Sequence, residues 1–302
     1  MAKRKKRLVT ANEIFFMVML LPAIILLICF SYMPMGGIVM AFQNFVPAKG
    51  IWGSDFIGLK NFRYMFELPA IRQVLFNTIY IASFKMILGI IVPVWFALFL
   101  NEVRHDLFKR TTQTVVYLPY FLSWVILGTT FKQMFSLNGV VNAISGLFGA
   151  EPMMFLSNNT FFPWFIILTD IWKGFGFGTI IYLAAITNIN PELYESAEMD
   201  GGGRWKKMWY ITLPGITTTI VLLSTLSLGG ILEAGFTQVF AMYNTLVYPS
   251  SDIIDTYVYR NGIFGMRYGF STAVGLFKSV ISFVLVISSY KLAEHFADYR
   301  IF

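Results

Sequence analysis

Six runs of roughly 20 residues that are almost free of charge constrain this chain more than any other feature. They lie at about 14–39, 74–100, 114–133, 161–187, 214–233 and 271–292. A hydrocarbon core about 30 Å thick is crossed by about 20 apolar residues in helical form. In lipid the backbone must satisfy its own polar groups, and a helix does so within one segment. Composition agrees, with 57% hydrophobic and only 13% charged residues in 302. A soluble domain carries roughly twice that charge. The expected fold class is an all-α membrane protein with six transmembrane helices. The segments between them, at about 40–73, 134–160 and 234–270, are too short to form a soluble domain.

Basic residues orient such a chain. With the N-terminus inside, the cytoplasmic segments hold Lys3, Arg4, Lys5, Lys6, Arg7, Arg104, Lys109, Arg110, Arg204, Lys206, Lys207, Lys291 and Arg300. The outer segments hold Lys49, Lys60, Arg63, Arg72, Arg260 and Arg267. The bias, 13 against 6, predicts a multi-pass protein with both termini cytoplasmic. Residues 1–13 read as a basic cytoplasmic N-terminus and 14–302 as a single transmembrane domain. The first apolar run is too long for a signal peptide and lacks a small-x-small exit. Cys29 lies within that run, and Ile28 is too large for a lipoprotein cleavage box.

Several chemistries find no support in the sequence. There is no Gly-x4-Gly-Lys-Ser/Thr loop for ATP. Gly174-Phe175-Gly176-Phe177-Gly178 has the wrong spacing for a dinucleotide fingerprint and sits in an apolar run, where small residues let helices approach closely. His105 and His295 lie near cytoplasmic ends with no cysteine or carboxylate cluster to complete a zinc site. No Ser/His/Asp set is apparent. The net charge of +7 comes largely from cytoplasmic loops, and no aromatic-plus-basic RNA motif accompanies it, so no nucleic-acid partner is expected.

One cytoplasmic segment carries a fixed pattern. Asn190 suits a helix N-cap and Pro191 its first turn. Glu192 and Glu195 suit the positive end of that helix. Gly201 suits the left-handed residue that ends it. Then Trp205, Met208 and Trp209 fall on one face beside Lys206 and Lys207, an interfacial pattern with its apolar side toward lipid. Tyr194-Glu195-Ser196-Ala197-Glu198-Met199-Asp200-Gly201, nine residues, then Ile211-Thr212-Leu213-Pro214, resembles the EAA loop of binding-protein-dependent ABC importer permeases. Ser196 stands where that family usually has Ala.

The resemblance extends along nearly the whole chain. Tyr32-Met33-Pro34-Met35-Gly36, Phe56-Ile57-Gly58-Leu59-Lys60-Asn61-Phe62, Asn77-Thr78 and Leu118-Pro119-Tyr120 are similar to sugar permeases of the maltose-transporter type. So are Asp255-Thr256-Tyr257-Val258-Tyr259-Arg260 and Thr272-Ala273-Val274-Gly275-Leu276. The combination resembles the LplB-like polysaccharide and oligosaccharide branch. It implies a MetI-like permease fold with a coupling loop at 190–214. It implies that Glu192, Glu195, Ser196, Ala197, Asp200 and Gly201 dock an ATPase. The implied partners are a second permease in a heterodimer, two cytoplasmic ATPase subunits, an extracellular solute-binding lipoprotein, a saccharide and membrane lipids. No cofactor is expected in this chain, since ATP and Mg belong to the partner ATPase. The implied location is a bacterial plasma membrane, and the implied work is transport rather than enzymatic.

Charges inside apolar runs are costly and mark either structural pairs or a wet path. Lys85, Asp170, Lys173, Glu233 and Lys278 qualify, and Asp170 and Lys173 are spaced to neutralise each other on one helical face. A sugar path would use aromatic faces and hydrogen-bonding side chains. Trp172, Tyr182, Glu233, Gln238 and Tyr243 are the candidates. Two other classes compete: an ion- or proton-coupled secondary sugar transporter resting on Asp170, Lys173 and Glu233, and a membrane enzyme acting on lipid-linked sugars, for which paired catalytic carboxylates are lacking.

Overall fold

The computed structural model describes residues 11–297. Lys3 to Arg7, Arg300 and the His295 side chain, on which parts of the sequence reading lean, lie outside the described residues. In chain order the main helices are α1 (Phe15–Phe42), α2 (Pro69–Asn101), α3 (Asp106–Phe121), α4 (Trp124–Met134) and α5 (Phe161–Thr187). They continue with α6 (Pro191–Met199), α7 (Arg204–Gly215), α8 (Thr217–Gly229), α9 (Phe236–Met242) and α10 (Tyr268–Ala297). Four of these, α1, α2, α5 and α10, are long and apolar enough to cross a membrane alone. The count reaches six if α3 with α4, and α7 with α8, each form one span.

Two of the expected spans are therefore not single rods. The run expected at 114–133 bends by 97° between α3 and α4. Pro119 lies just before the bend, Leu122 is extended, and the Ser123 hydroxyl caps α4 by accepting from the Ile126 amide. The run expected at 214–233 bends by 53° between α7 and α8, and α8 stops at Gly229. Hydrophobicity sums over both arms of a bend, so the apolar runs could not reveal it.

Prolines also shape the helices from within. A π turn at Ile28–Tyr32 sits just before Pro34, and another at Met208–Thr212 sits just before Pro214. A proline has no N–H, and its ring displaces the carbonyl four residues back, which widens the preceding turn.

The centre of the bundle is α2 packed along α5. A side chain at Gly178 would press on the Pro93 ring, with Cβ only 3.3 Å from its Cγ. The α3 backbone at Val116 lies directly against Gly176. Two of the three glycines in the Gly174–Gly178 run thus admit a neighbouring helix, as the sequence suggested. Thr179 beside them donates to Phe175 O at 2.7 Å, so its hydroxyl is satisfied within the helix.

At the N-terminal end of α2, Gln43–Asn44 and Asp55–Phe56 form a small antiparallel ribbon. Asn77 of α2 donates to the Pro249 and Asp252 carbonyls at 3.1 and 3.2 Å, and the Thr78 hydroxyl accepts the Ile254 amide at 2.9 Å. Buried Asp252 pairs with Arg260, whose guanidinium lies 4.1 Å from the Tyr248 ring centre. Burial opposes the Arg260 charge, but the Asp252 carboxylate outweighs it and holds the pKa above its usual value. These contacts give the Asn77-Thr78 and Asp255–Arg260 sequence motifs a structural role.

Candidate functional site: the coupling loop and the intramembrane clefts

The loop after α5 is a rigid, exposed platform. Asn190 caps α6 through its side-chain oxygen, which accepts the Glu192 amide at 3.1 Å. At the other end, Gly201 has φ +74. Its amide donates to Glu198 O at 3.1 Å, and the Gly202 amide donates to Ala197 O at 2.7 Å. This pair of bonds is a Schellman ending, which needs a left-handed residue at Gly201. A side chain at Gly202 would place Cβ 2.6 Å from Ala197 O.

Two contacts that sequence reasoning missed fix α6 to α7. The Tyr194 hydroxyl meets the Thr212 hydroxyl at 2.9 Å, and Lys207 pairs with Glu198 at 3.3 Å. The apolar stripe of α7 is covered only in part. Met208 is buried, Trp209 meets Trp95 edge-on at 5.6 Å, and Trp205 meets Phe99 at 6.3 Å. Trp205 remains 64% and Trp209 48% exposed, so an apolar face is left outward beside the C-terminal end of α2. Gly215 lets Ile189 close over the bend, since a Cβ there would lie 2.6 Å from its Cδ1.

Anchored this way, α6 buries none of its residues. Glu192, Glu195, Ser196 and Asp200 are exposed and Ala197 is half-buried. Leu193 and Met199 add apolar surface, with Met199 89% exposed. An acidic helix with uncovered apolar residues and a fixed backbone suits a partner protein's groove.

The intramembrane charges pair differently from the sequence expectation. Asp170 faces Lys85 of α2 at 3.5 Å rather than Lys173. Lys173 instead donates to the Tyr120 carbonyl at 2.7 Å and lies 5.0 Å from the Tyr120 ring centre. The bend between α3 and α4 brings that carbonyl within reach, and linear spacing on α5 could not foresee it. Lys278 pairs with Asp255 at 2.6 Å.

Glu233 is exposed and lines two clefts. The larger, about 1200 Å³, lies between α1, the end of α8, residues Ile254–Tyr259 and α10. The smaller, about 250 Å³, is lined also by Lys85, Asp170 and Ser227. The other path candidates do not join it. Tyr182 is 2% exposed and packed among Ala97, Leu98, Ile186 and Ile216. Gln238 is fully buried and its amide donates to Ile166 O and Thr169 Oγ1 at 2.8 and 3.0 Å. Both depart from the sequence expectation: Gln238 spends its polar atoms on buried neighbours, and Tyr182 is enclosed by apolar side chains.

Trp172 is exposed, with its edge toward Phe131, and lines neither cleft shared by Glu233. Tyr243 borders a third cleft with Lys132 and Asn138. Burial, with Tyr248 beside it, pushes the Tyr243 hydroxyl up to about 12, so it stays a neutral donor. Among the described residues no group of three or more His, Cys, Asp or Glu could hold a metal.

Residues 89–297, the stretch holding α5 to α10 and the loop between α5 and α8, match the model of the family described as binding-protein-dependent transport system inner membrane component. The chain belongs to this family. It is a transport component rather than an enzyme. Over 99% of its length it is 41% identical to the polygalacturonan/rhamnogalacturonan transport system permease protein YteP of Bacillus subtilis, covering 94% of that protein. It is 40% identical to Protein LplB of the same organism, with 94% and 90% of the two chains covered. Among solved structures it resembles a bacterial ABC transporter involved in the import of the acidic polysaccharide alginate, with a TM-score of 0.87 and 37% identity. That match covers 94% of this chain and 96% of the other. The family resemblance read from the sequence, the MetI-like fold and the ABC permease assignment all stand. Neither the ion-coupled transporter nor the lipid-linked enzyme gains support.

Proposed function

We propose that this chain forms one half of the translocation path of an ATP-driven saccharide importer in a bacterial plasma membrane. A second permease completes the path and covers apolar α1 surface, and an extracellular binding lipoprotein delivers the sugar. Two ATPase subunits, which hold the ATP and Mg, close beneath and move α6. The observation that carries this reading is the exposed, Schellman-terminated α6 tied to α7 through Tyr194 and Thr212. Force on α6 passes to α7 and α8, and Glu233 stands in the turn just past α8. The substrate class favoured is an oligosaccharide or polysaccharide fragment, in keeping with the polysaccharides for which the relatives are named.

The test is uptake into vesicles holding the chain with its second permease, ATPase and binding protein. Saccharide uptake should require ATP and persist with an ionophore. Loss of uptake on adding an uncoupler, with ATP still high, would favour ion coupling instead.

Both termini are proposed to be cytoplasmic. With Cys29 replaced by Ser, Asn138→Cys and Glu151→Cys, both at exposed positions, should label from outside intact cells, and Ser196→Cys only after permeabilisation. The reverse pattern would invert the topology.

A further inference from the structure

The turn between α8 and α9 is non-helical backbone flanked by intramembrane clefts. Its amides and carbonyls need partners, because such backbone is stable at membrane depth only where protein or a wet cavity satisfies it. Gly235 gives the turn its sharp exit, with φ +90. The Ala234 carbonyl, beside it, is fully enclosed by protein.

Lys85 supplies the missing partner from α2. Its ammonium donates to Ala234 O at 2.8 Å and to Gln238 Oε1, and faces Asp170 at 3.5 Å. An ammonium has three N–H groups, and here three acceptors surround it. Gln238 in turn spends both amide hydrogens on α5, at Ile166 O and Thr169 Oγ1. Lys85 is 8% exposed. The result is a closed polar network joining α2, α5 and the α8–α9 turn. Such a network specifies one arrangement when every member is satisfied. It leaves no room for drift either, since a Cβ on Gly235 would lie 2.8 Å from Lys85 Nζ.

Glu233 is the residue immediately before Ala234, and the same small cleft is lined by Lys85, Asp170, Glu233 and Gly235. We propose that Lys85 is a positioning residue. By clamping the Ala234 carbonyl and Gln238, it fixes where Glu233 presents its carboxylate to the path. The proposal rests on the reading of Glu233 as a path residue. Lys85 itself does not contact the sugar. Its positive charge is spent on the turn and on Asp170, so Glu233 is left without a cationic partner among the described residues. A path wall of this kind offers an acceptor to hydroxyls and repels a carboxylate.

The test uses the assembled transporter with Cys29 replaced by Ser. Glu233→Cys reports the position of the turn through its reaction rate with a water-soluble thiol reagent. Ser282→Cys, in the larger cleft on α10, is the control. Lys85→Met removes the clamp, Gln238→Leu removes one acceptor that the clamp holds, and Lys85→Arg keeps a charged donor. In Lys85→Met and Gln238→Leu, the rate at Glu233→Cys should change at least about fivefold, and Ser282→Cys should not. In the otherwise unaltered transporter, the same two variants should cut sugar transport about tenfold, as expected for a lost charge-assisted hydrogen bond, while ATPase activity stays within about twofold. Lys85→Arg should recover part of the transport. If Lys85→Met does not reach the membrane, Gln238→Leu and Lys85→Arg carry the test.

Unchanged reactivity at Glu233→Cys in these variants overturns the clamp. Equal changes at both cysteines, or parallel loss of ATPase and transport, also overturn it, since they mark general loosening. Full uptake in Glu233→Gln overturns the path reading instead and leaves the thiol result standing. The two failures are therefore distinguishable.

Discussion

Replacing Gly201 by Asp is expected to stop uptake while leaving the protein in the membrane. Gly201 holds φ +74, and a side chain in the left-handed region costs about 1–2 kcal/mol. An added carboxylate at the negative end of α6 is a further unfavourable charge. The Schellman bonds from the Gly201 and Gly202 amides turn the chain back from α6 toward α7. Losing them loosens the C-terminal end of α6, which Tyr194–Thr212 and Glu198–Lys207 then hold alone, without touching any buried core, because no residue of α6 is buried. The effect should therefore fall on docking rather than on folding. Three quantities decide it: protein in the membrane, ATPase recovered on pull-down, and uptake. Membrane level near that of the parent, with ATPase recovery and uptake both lost, is the expected result. Normal uptake at normal expression would remove the docking assignment.

Glu233 should show the second large effect. It is exposed on two clefts, and the lysines that share them are committed elsewhere, Lys85 to Ala234, Gln238 and Asp170 and Lys278 to Asp255. A free carboxylate accepts hydrogen bonds only, which suits sugar hydroxyls and disfavours an anionic sugar. Glu233→Gln keeps the size and replaces the charge by an amide. Loss of a charged hydrogen bond carries about 1.5–3 kcal/mol, so half-saturation for a neutral saccharide should rise roughly tenfold or more. Glu233→Leu removes both acceptors and should lower uptake further, with ATPase docking intact. Uptake of a uronate-containing oligosaccharide should improve relative to the neutral one in Glu233→Gln, because a repulsive charge is gone. If both variants carry the native sugar at the parent rate, Glu233 is a packing residue. That outcome would matter, given that two relatives are named for acidic or uronate-rich polysaccharides.

The helix and turn at 190–201 were legible in the sequence residue by residue because their determinants are local. An N-cap, a proline in the first turn and a left-handed glycine act within a few residues of one another, and Asn190, Pro191 and Gly201 each do what their chemistry dictates. Tyr194 and Thr212, eighteen residues apart, were not legible, since a hydroxyl pair has no periodic signature. The aromatic face of α7 was recognised as a face, but its partner was not. Amphipathicity says that a face is apolar and does not say which of its residues another helix meets, here Trp95 and Phe99 of α2.

The sequence by itself determined the class. Long uncharged runs admit few solutions in a bilayer, and they placed the helices and the coupling loop before any contact was known. Only the tertiary structure decided which charges meet and which polar groups face a cleft. Asp170 has Lys173 three residues away, yet it faces Lys85, eighty-five residues earlier in the chain. Gln238 and Glu233 lie five residues apart, yet one is sealed by Lys85, Ile166 and Thr169 and the other is exposed. The reason is geometric. Helical spacing fixes neighbours along one rod, whereas bends of 97° and 53° and a left-handed Gly235 set which rods meet and which way each turn points.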